Sequence, residues 1–350
     1  KEMRDLRKQM QQLEQKLQTL EQKPQVTSPP LANAVAKPVT ESSPAPAAKS
    51  WSPADPIRIG QGGTYMDISF DGLFAAGGST ANDLEGGTQL GGHDPNQRGF
   101  TVQNVELTFS GAVDPFFRAQ ANVVLQLDSG GESFIELEEA FAETTSLPWN
   151  LQAKAGQFFT ELGRLNSQHP HSWSFVDQPL VNGRFLGPDG LRNPGARVSW
   201  LVPTPFYSEL FFAVQNSHGE TAHSFRGDHE GEGFLGRVHD AGRVKNFADM
   251  LFTTRYAASF DLTDTQTLLA GASVAFGPNG SGANTDTQIY GVDFYWKWKP
   301  ANAHAGFPFV PWQTEAMLRR YQAGAFSEDL DGSLTRDPGE PDLNGDGIID

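Results

Sequence analysis

The residues most readily assigned a chemistry lie at the acidic end of the chain. In "DLNGDGIID", Asp342, Asn344, Asp346, Gly347 and the carbonyl of Ile348 match positions 1, 3, 5, 6 and 7 of a calcium loop, and Asp350 matches position 9. Oxygen donors at alternate positions, with glycine at the sharp turn, suit a hard cation such as Ca2+. The bidentate ligand at position 12 would fall beyond Asp350. Upstream, Asp329, Asp331, Ser333, Asp337 and Glu340 have the same kind of spacing, but Leu334 stands where glycine is wanted. We expect Ca2+ here, with 342–350 the stronger half-loop; the alternative is an acidic, solvated loop.

Other clusters point to less. His218, His223, His229 and His239 lie near Asp228, Glu230 and Glu232, where zinc is conceivable, but no spacing forms a tight ligand motif and solvated loop histidines are the plainer reading. Glu138 and Glu139 are adjacent, so they point to opposite faces of a strand and do not form a catalytic pair. No serine sits in a nucleophile elbow. With no cysteine in the chain, thiol catalysis, thiolate zinc sites and disulfides are excluded. We expect no enzyme.

The elements that carry these residues are strands. In "YMDISFDGLFAAGG", Met66, Ile68, Phe70 and Phe74 fall on one face and Asp67, Ser69 and Asp71 on the other. Similar alternation marks candidate strands at 64–76, 100–112, 116–128, 133–143, 150–159, 195–202, 206–215, 247–261, 265–276, 286–299 and 312–323. Short joins near 114, 147, 203 and 263 alternate with longer ones at 77–99, 159–194, 216–246 and 277–285; 300–311 is long where a turn is wanted, and 129–132 is short on the long side. A sandwich has no reason to sort loop length by strand parity, whereas an outer-membrane barrel places short turns at its periplasmic rim and long loops outside. "YGVDFYWKW" sets Tyr290, Val292, Phe294, Trp296 and Trp298 on one face, as expected of a lipid surface ending in an aromatic girdle.

The 350 residues carry a formal charge of −16, which argues against a nucleic-acid partner. A hydrophobic fraction of 38% with 37 Gly, 23 Pro and 25 Phe suits an all-β protein with long loops. Ahead of the strands, Met3, Leu6, Met10, Leu13, Leu17 and Leu20 occupy the a and d positions of a short coiled coil over 1–23, with Lys16 able to reach Glu21 of a neighbouring helix. The Pro-rich stretch 24–56 reads as a semi-rigid linker that reaches on the order of 100 Å when extended. No run of apolar residues is long enough for a membrane helix or signal peptide.

The stretch "AGQFFTELGRLNSQHPHSWSFVDQPL", followed by "RFLGPDGLRNPGARVSWLVP", resembles bacterial porins of the phosphate-selective porin O and P type, some of whose relatives are labelled zinc-regulated outer-membrane receptors. The resemblance is carried by Gly156, Gln157, Phe158, Gly163, Arg164, Leu165 and Asn166, then Asp177, Pro179, Leu180 and Gly187, then Gly195 and Ser199 to Leu201. It implies a trimeric barrel of about sixteen strands, a constriction loop folded inward after the fifth strand, and passive diffusion of small solutes. Arg164, Arg184 and Arg192 would then lie near the constriction and select anions; alternatively they satisfy loop carbonyls and carboxylates such as Asp177 and Asp189. Expected lumen residues mix Asp67, Asp71, Glu106, Glu136 and Glu138 with Arg118, Lys154, Arg197 and Arg255, which fits a general pore better than a phosphate-specific one.

The expectation is an all-β, antiparallel transmembrane β-barrel with an N-terminal coiled-coil helix. Its partners would be outer-membrane lipid and further copies of itself, with the N-terminus in the periplasm. No plug domain is expected, so energy-coupled uptake is not. The eleven candidate strands cannot close an even-numbered barrel, which suggests that the natural polypeptide continues beyond Asp350. Two other readings stay open: an anchor tying the outer membrane to the cell wall or a surface layer, and a secreted calcium-dependent β-sandwich adhesin.

Overall fold

Period-two alternation is realised as one antiparallel sheet whose strands pair in chain order. In the computed structural model, residues 55–324 are described, apart from 83, 85–86, 113, 129, 228–232, 236, 240–241 and 305. The expected coiled coil at 1–23, nearly all of the 24–56 linker and the calcium loops at 329–340 and 342–350 lie outside the described residues.

Among the described residues the sheet has twelve strands: β1 (Ile57–Gln61), β2 (Thr64–Gly77), β3 (Gly99–Ala112), β4 (Phe117–Leu127), β5 (Ser133–Thr144), β6 (Leu151–Phe159), β7 (Arg192–Leu201), β8 (Tyr207–Asn216), β11 (Met250–Thr263), β12 (Gln266–Pro278), β13 (Asp286–Trp298) and β14 (Val310–Tyr321). A two-residue-per-strand hairpin, β9 (Gly233–Phe234) and β10 (Arg237–Val238), lies between β8 and β11. The strand absent from the sequence reading is β1. Its five residues are too few to stand out after a proline-rich stretch, and it is held to β2 by the backbone ladder and by Arg58, whose Nε and Nη2 donate to Asp67 at 2.7 and 2.5 Å.

Joins at 62–63, 113–116, 145–150, 202–206 and 264–265 share one rim with the longer 299–309; those at 78–98, 128–132, 160–191, 217–249 and 279–285 share the other. The segregation of loop length by rim is therefore a property of the fold. Among the described residues no helix is long and apolar enough to cross a membrane, which says nothing about strands.

The two faces of the sheet have inverted polarity. Phe70, Phe74, Ile135, Trp312 and Leu318 are each at least 65% exposed, while Glu106, Glu138, Gln215 and Asp293 are at most 1% exposed. Water-soluble proteins do the reverse. The buried charges are paired: Arg255 donates to both carboxylate oxygens of Asp293, at 2.5 and 2.9 Å, and to Ser273 at 3.0 Å. Arg197 pairs with Glu161 and, at 3.7 Å, with Glu143, which also lies 3.9 Å from the Lys154 ammonium.

Segment 160–191 lies against the polar side of the sheet and touches strands far apart in the order. His169 and His171 meet Glu106 on β3, Gly163 N–H bonds Ser273 on β12, and Arg164 and Leu165 N–H groups bond Glu315 on β14 at 3.0 and 2.7 Å. A sheet whose third and last described strands touch one segment is curled around it. Asn166 closes the neck of the segment by bonding the carbonyls of Thr160 and Leu191 and the Leu191 N–H. Within it lies a short helix, α1 (Leu180–Leu186), which begins after Pro179 and ends at Gly187, φ +92°. Leu162, Leu186 and Leu191 pack with Ala222 and Phe225 against Leu251, Ala275 and Ile289. That small dry core holds the long loops to the wall near the long-loop rim.

Candidate functional site

Five carboxylates and three imidazoles meet where the 160–191 segment lies against β3 and β5, and irregular strands help bring them there. Across β4 and β5, Asn122 pairs with Glu139 but Val123 pairs with Leu137, so Glu138 is an extra residue in a β-bulge. Inward-facing parity consequently switches along β5, from Glu136 and Glu138 to Glu139 and Glu143. The expectation that adjacent Glu138 and Glu139 point to opposite faces is wrong: Glu138 is fully buried, Glu139 is 6% exposed, and both carboxylates meet His169. A second bulge lies on β3, where Leu73 pairs with Asn104 and Phe74 with Val102. There Gln103 and Asn104 are both buried, and the Gln103 amide bonds the carbonyls of His93 and Val176.

Beyond the bulge, side chains take over from the ladder. Gln157 Nε2 donates to the carbonyl of Leu137 at 2.6 Å, and Phe159 N–H donates to Glu139 Oε1 at 2.9 Å. Gly156 stands opposite Phe141 with φ +135°, and a Cβ there would come within 2.6 Å of the Phe141 Cα. Only glycine lets β6 approach so closely.

The imidazoles come from a tight turn. Buried Pro170 separates His169 from His171 in a 3-10 turn, and Ser172 bonds the His169 carbonyl through both its N–H, at 2.9 Å, and its hydroxyl, at 2.7 Å. His169 Nε2 lies 2.9 Å from Glu139 Oε2; its Nδ1 lies 2.7 Å from Glu138 Oε2 and 3.4 Å from Glu106 Oε2. His171 Nδ1 lies 3.0 Å from the same Glu106 oxygen. The other Glu106 oxygen accepts from Thr108 Oγ1 at 2.9 Å and from Asn122. His93 Nε2 lies 3.7 Å from Glu138 Oε1, and buried Arg192 pairs with Glu136 and, at 3.7 Å, with Glu138.

Protonation follows from these contacts. Burial alone would lower the His169 pKa, but the close carboxylates of Glu106, Glu138 and Glu139 outweigh it and push the imidazole up to about 12. His171 is raised by its bond to Glu106. His93 goes the other way: burial, then the charges of Arg192 and His169, push it down to about 4. Burial, then the charges of Glu220 and Glu138, raise Asp189 to about 7. His93, Glu138 and Asp189 border a cavity of about 20 Å³, the room of a single water or ion.

The residues singled out from sequence have separate fates. Arg164 stacks over Tyr295, 4.1 Å from its ring centroid, and donates to Gln313 at 2.9 Å. Arg184 is an exposed residue of α1, and Arg192 lies at the start of β7 against Glu136. The three have no partner in common. Glu106, Lys154, Arg197 and Arg255 lie on the polar, paired face; Asp71 is exposed, and Arg118 keeps 60% of its side chain exposed while pairing with Glu143. Among the described residues, neither grouping with metal-ligand geometry contains His218, His223 or His239; His239 instead meets the Phe225 carbonyl and the Gly280 N–H. The pair that converges, His169 and His171, stands in the "QHPHSW" stretch. Histidines two apart in a long inward join were the available signal; their glutamate partners are 30 to 65 residues away in sequence.

The chain is 32% identical over 263 residues to a protein of Aquifex aeolicus (strain VF5) described as uncharacterized; the match covers 71% of this chain and 52% of that protein. The chain thus spans about half the length of the curated relative it matches. No family model matches the chain. No solved structure matches it.

Proposed function

We propose that the chain forms the wall of a porin-like β-barrel in a bacterial outer membrane and conducts small hydrophilic solutes or ions by passive diffusion. One observation carries the reading: apolar side chains face out along the sheet while charged side chains are buried on the side where segment 160–191 lies. A face rich in exposed Phe, Tyr, Val and Trp is tolerable against lipid, and a charged, paired inner face suits a hydrated lumen. The sorting of short and long joins by rim supports the same reading. β1 and β14 are the edges of the sheet in the described residues, and their joining, directly or through further strands, belongs to the proposal.

So do the other attributes carried over from the sequence: lipid contact, a trimer, a coiled-coil stalk in the periplasm, Ca2+ at 342–350, and no catalysis. The mixed charges on the inner face support weak rather than phosphate-specific selectivity.

The dry cluster around Leu162, Leu186 and Phe225 favours a second reading, in which the filled barrel is a structural anchor to the cell wall or a surface layer. Single-channel recording of the detergent-purified protein in a planar bilayer separates the two. Stepwise openings, with a reversal potential in a salt gradient, are expected of the channel; inserted but silent protein would support the anchor.

A further inference from the structure

We propose that Glu106, His169 and His171, joined by Glu138, bind one divalent transition-metal ion of the zinc class, which pins the 160–191 segment to β3 and β5.

The donor atoms have the right spacing. Ligands bound at 2.0–2.1 Å around a tetrahedral zinc stand about 3.3 Å apart. Glu106 Oε2 lies 3.0 Å from His171 Nδ1 and 3.4 Å from His169 Nδ1. Glu138 Oε2, 2.7 Å from His169 Nδ1, supplies a fourth donor on the same side. The three principal residues meet the mutual-distance requirement of a shared ion.

Protein atoms alone do not satisfy this cluster. Glu106 Oε2, both Glu138 oxygens and His169 Nδ1 are buried without an aligned hydrogen bond, although Glu106 is 1% and Glu138 0% exposed. A single proton on His169 Nδ1 cannot point at both Glu106 Oε2 and Glu138 Oε2. A cation between them can be shared by all three atoms.

The surrounding shell is also built for a ligand role. His169 presents its other nitrogen to Glu139 Oε2 at 2.9 Å, and Glu139 is fixed through its second oxygen by the Phe159 N–H. A carboxylate behind a histidine holds the ring and directs the opposite nitrogen to a metal. Glu106 is steadied through Oε1 by Asn122 and Thr108. His171, with 30% of its side chain exposed, leaves a path for an ion. Two imidazoles with carboxylates favour zinc-class ions over calcium or magnesium, which take oxygen ligands. The neighbouring group of His93, Glu136 and Asp189 is less suited: Arg192 pairs closely with Glu136, whereas its 3.7 Å contact with Glu138 is to Oε1 and not to the Oε2 offered to the ion.

The test uses the full chain in detergent, stripped with a chelator and titrated calorimetrically with Zn2+ alone; Co2+ then serves as a probe of tetrahedral coordination by its visible absorption. One equivalent is expected to bind and to resist millimolar Ca2+. His171→Ala should abolish binding or weaken it more than 10-fold, and Glu139→Gln should weaken it by roughly 10- to 100-fold through loss of ring orientation. His304→Ala, at an exposed position, should bind as the parent does. Circular dichroism checks that each variant folds; His171, being partly exposed, keeps the test usable where Glu106→Gln does not fold. Folded parent protein that binds no zinc overturns the proposal, as does zinc binding unchanged by both His171→Ala and Glu139→Gln.

Discussion

Glu138 and Glu139 are consecutive residues of one strand, yet both carboxylates reach the same imidazole: Glu138 Oε2 lies 2.7 Å from His169 Nδ1, and Glu139 Oε2 lies 2.9 Å from Nε2. The β-bulge at Glu138 makes this geometry possible. Deleting Glu138 should restore regular pairing and turn the inward residues before the bulge to the outer face, since a one-residue shift exchanges the faces of a strand. We expect the deletion variant to lose the anchorage of segment 160–191, seen as faster amide hydrogen exchange there. Unchanged protection would mean that the bulge does not position the segment.

His169 is placed between three carboxylates, those of Glu106, Glu138 and Glu139. Replacing it with glutamine leaves buried negative charges facing one another, a loss of about 3–5 kcal/mol for breaking a buried ion pair. The loss should appear as opening of 160–191 rather than of the strands. Hydrogen exchange resolved by segment distinguishes the two outcomes.

In chelator-treated protein the docking of the segment should depend on pH in two opposite ways. His169 holds its proton up to about 12 in the folded protein, against 6.5 for an ordinary histidine. Its stabilisation is therefore fully present below pH 6.5 and declines as pH rises toward 12. His93, at about 4 when folded, stays neutral while the unfolded chain takes up a proton. Its contribution is complete above pH 6.5 and is lost as pH falls toward 4. Asp189, raised from 3.8 to about 7, works against His93 over nearly the same range, so His93→Gln should make segment protection rise as pH falls from 7 toward 4 and leave the alkaline limb; protection that still falls with pH in that range would assign the acid limb to another group.

The strands were legible because alternation survives along most of their length, and eleven of the twelve described strands lie close to the stretches marked by sequence alone. The short β1 was lost beside the proline-rich stretch. The His and Glu cluster was not legible for a different reason: a bulge changes which face a residue takes without changing residue type, so Glu138 and Glu139 read as opposed. Its parts also come from β3, β5 and a distant turn, which only the curling of the sheet unites. Arg164 and Arg192 were noticed as charges, but their partners Gln313 and Glu136 are set by tertiary contacts.

On the outer face, Val292 stands in the middle of β13 and is 47% exposed. Val292→Arg should cost about 2–4 kcal/mol if the position lies near the centre of a bilayer. Folding yield into lipid vesicles, followed by urea titration, measures it. A neutral effect would argue for water on that face.

The most direct measurement uses the absence of native cysteine. Single cysteines at Ile68, Ser69, Phe70 and Asp71 of β2 would each carry a nitroxide label in proteoliposomes, and collision with oxygen would be compared with collision with a water-soluble nickel complex. The lipid-facing assignment predicts that labels at 68 and 70 meet oxygen, while labels at 69 and 71 meet nickel. Equal access of nickel to all four positions would contradict a membrane-spanning sheet.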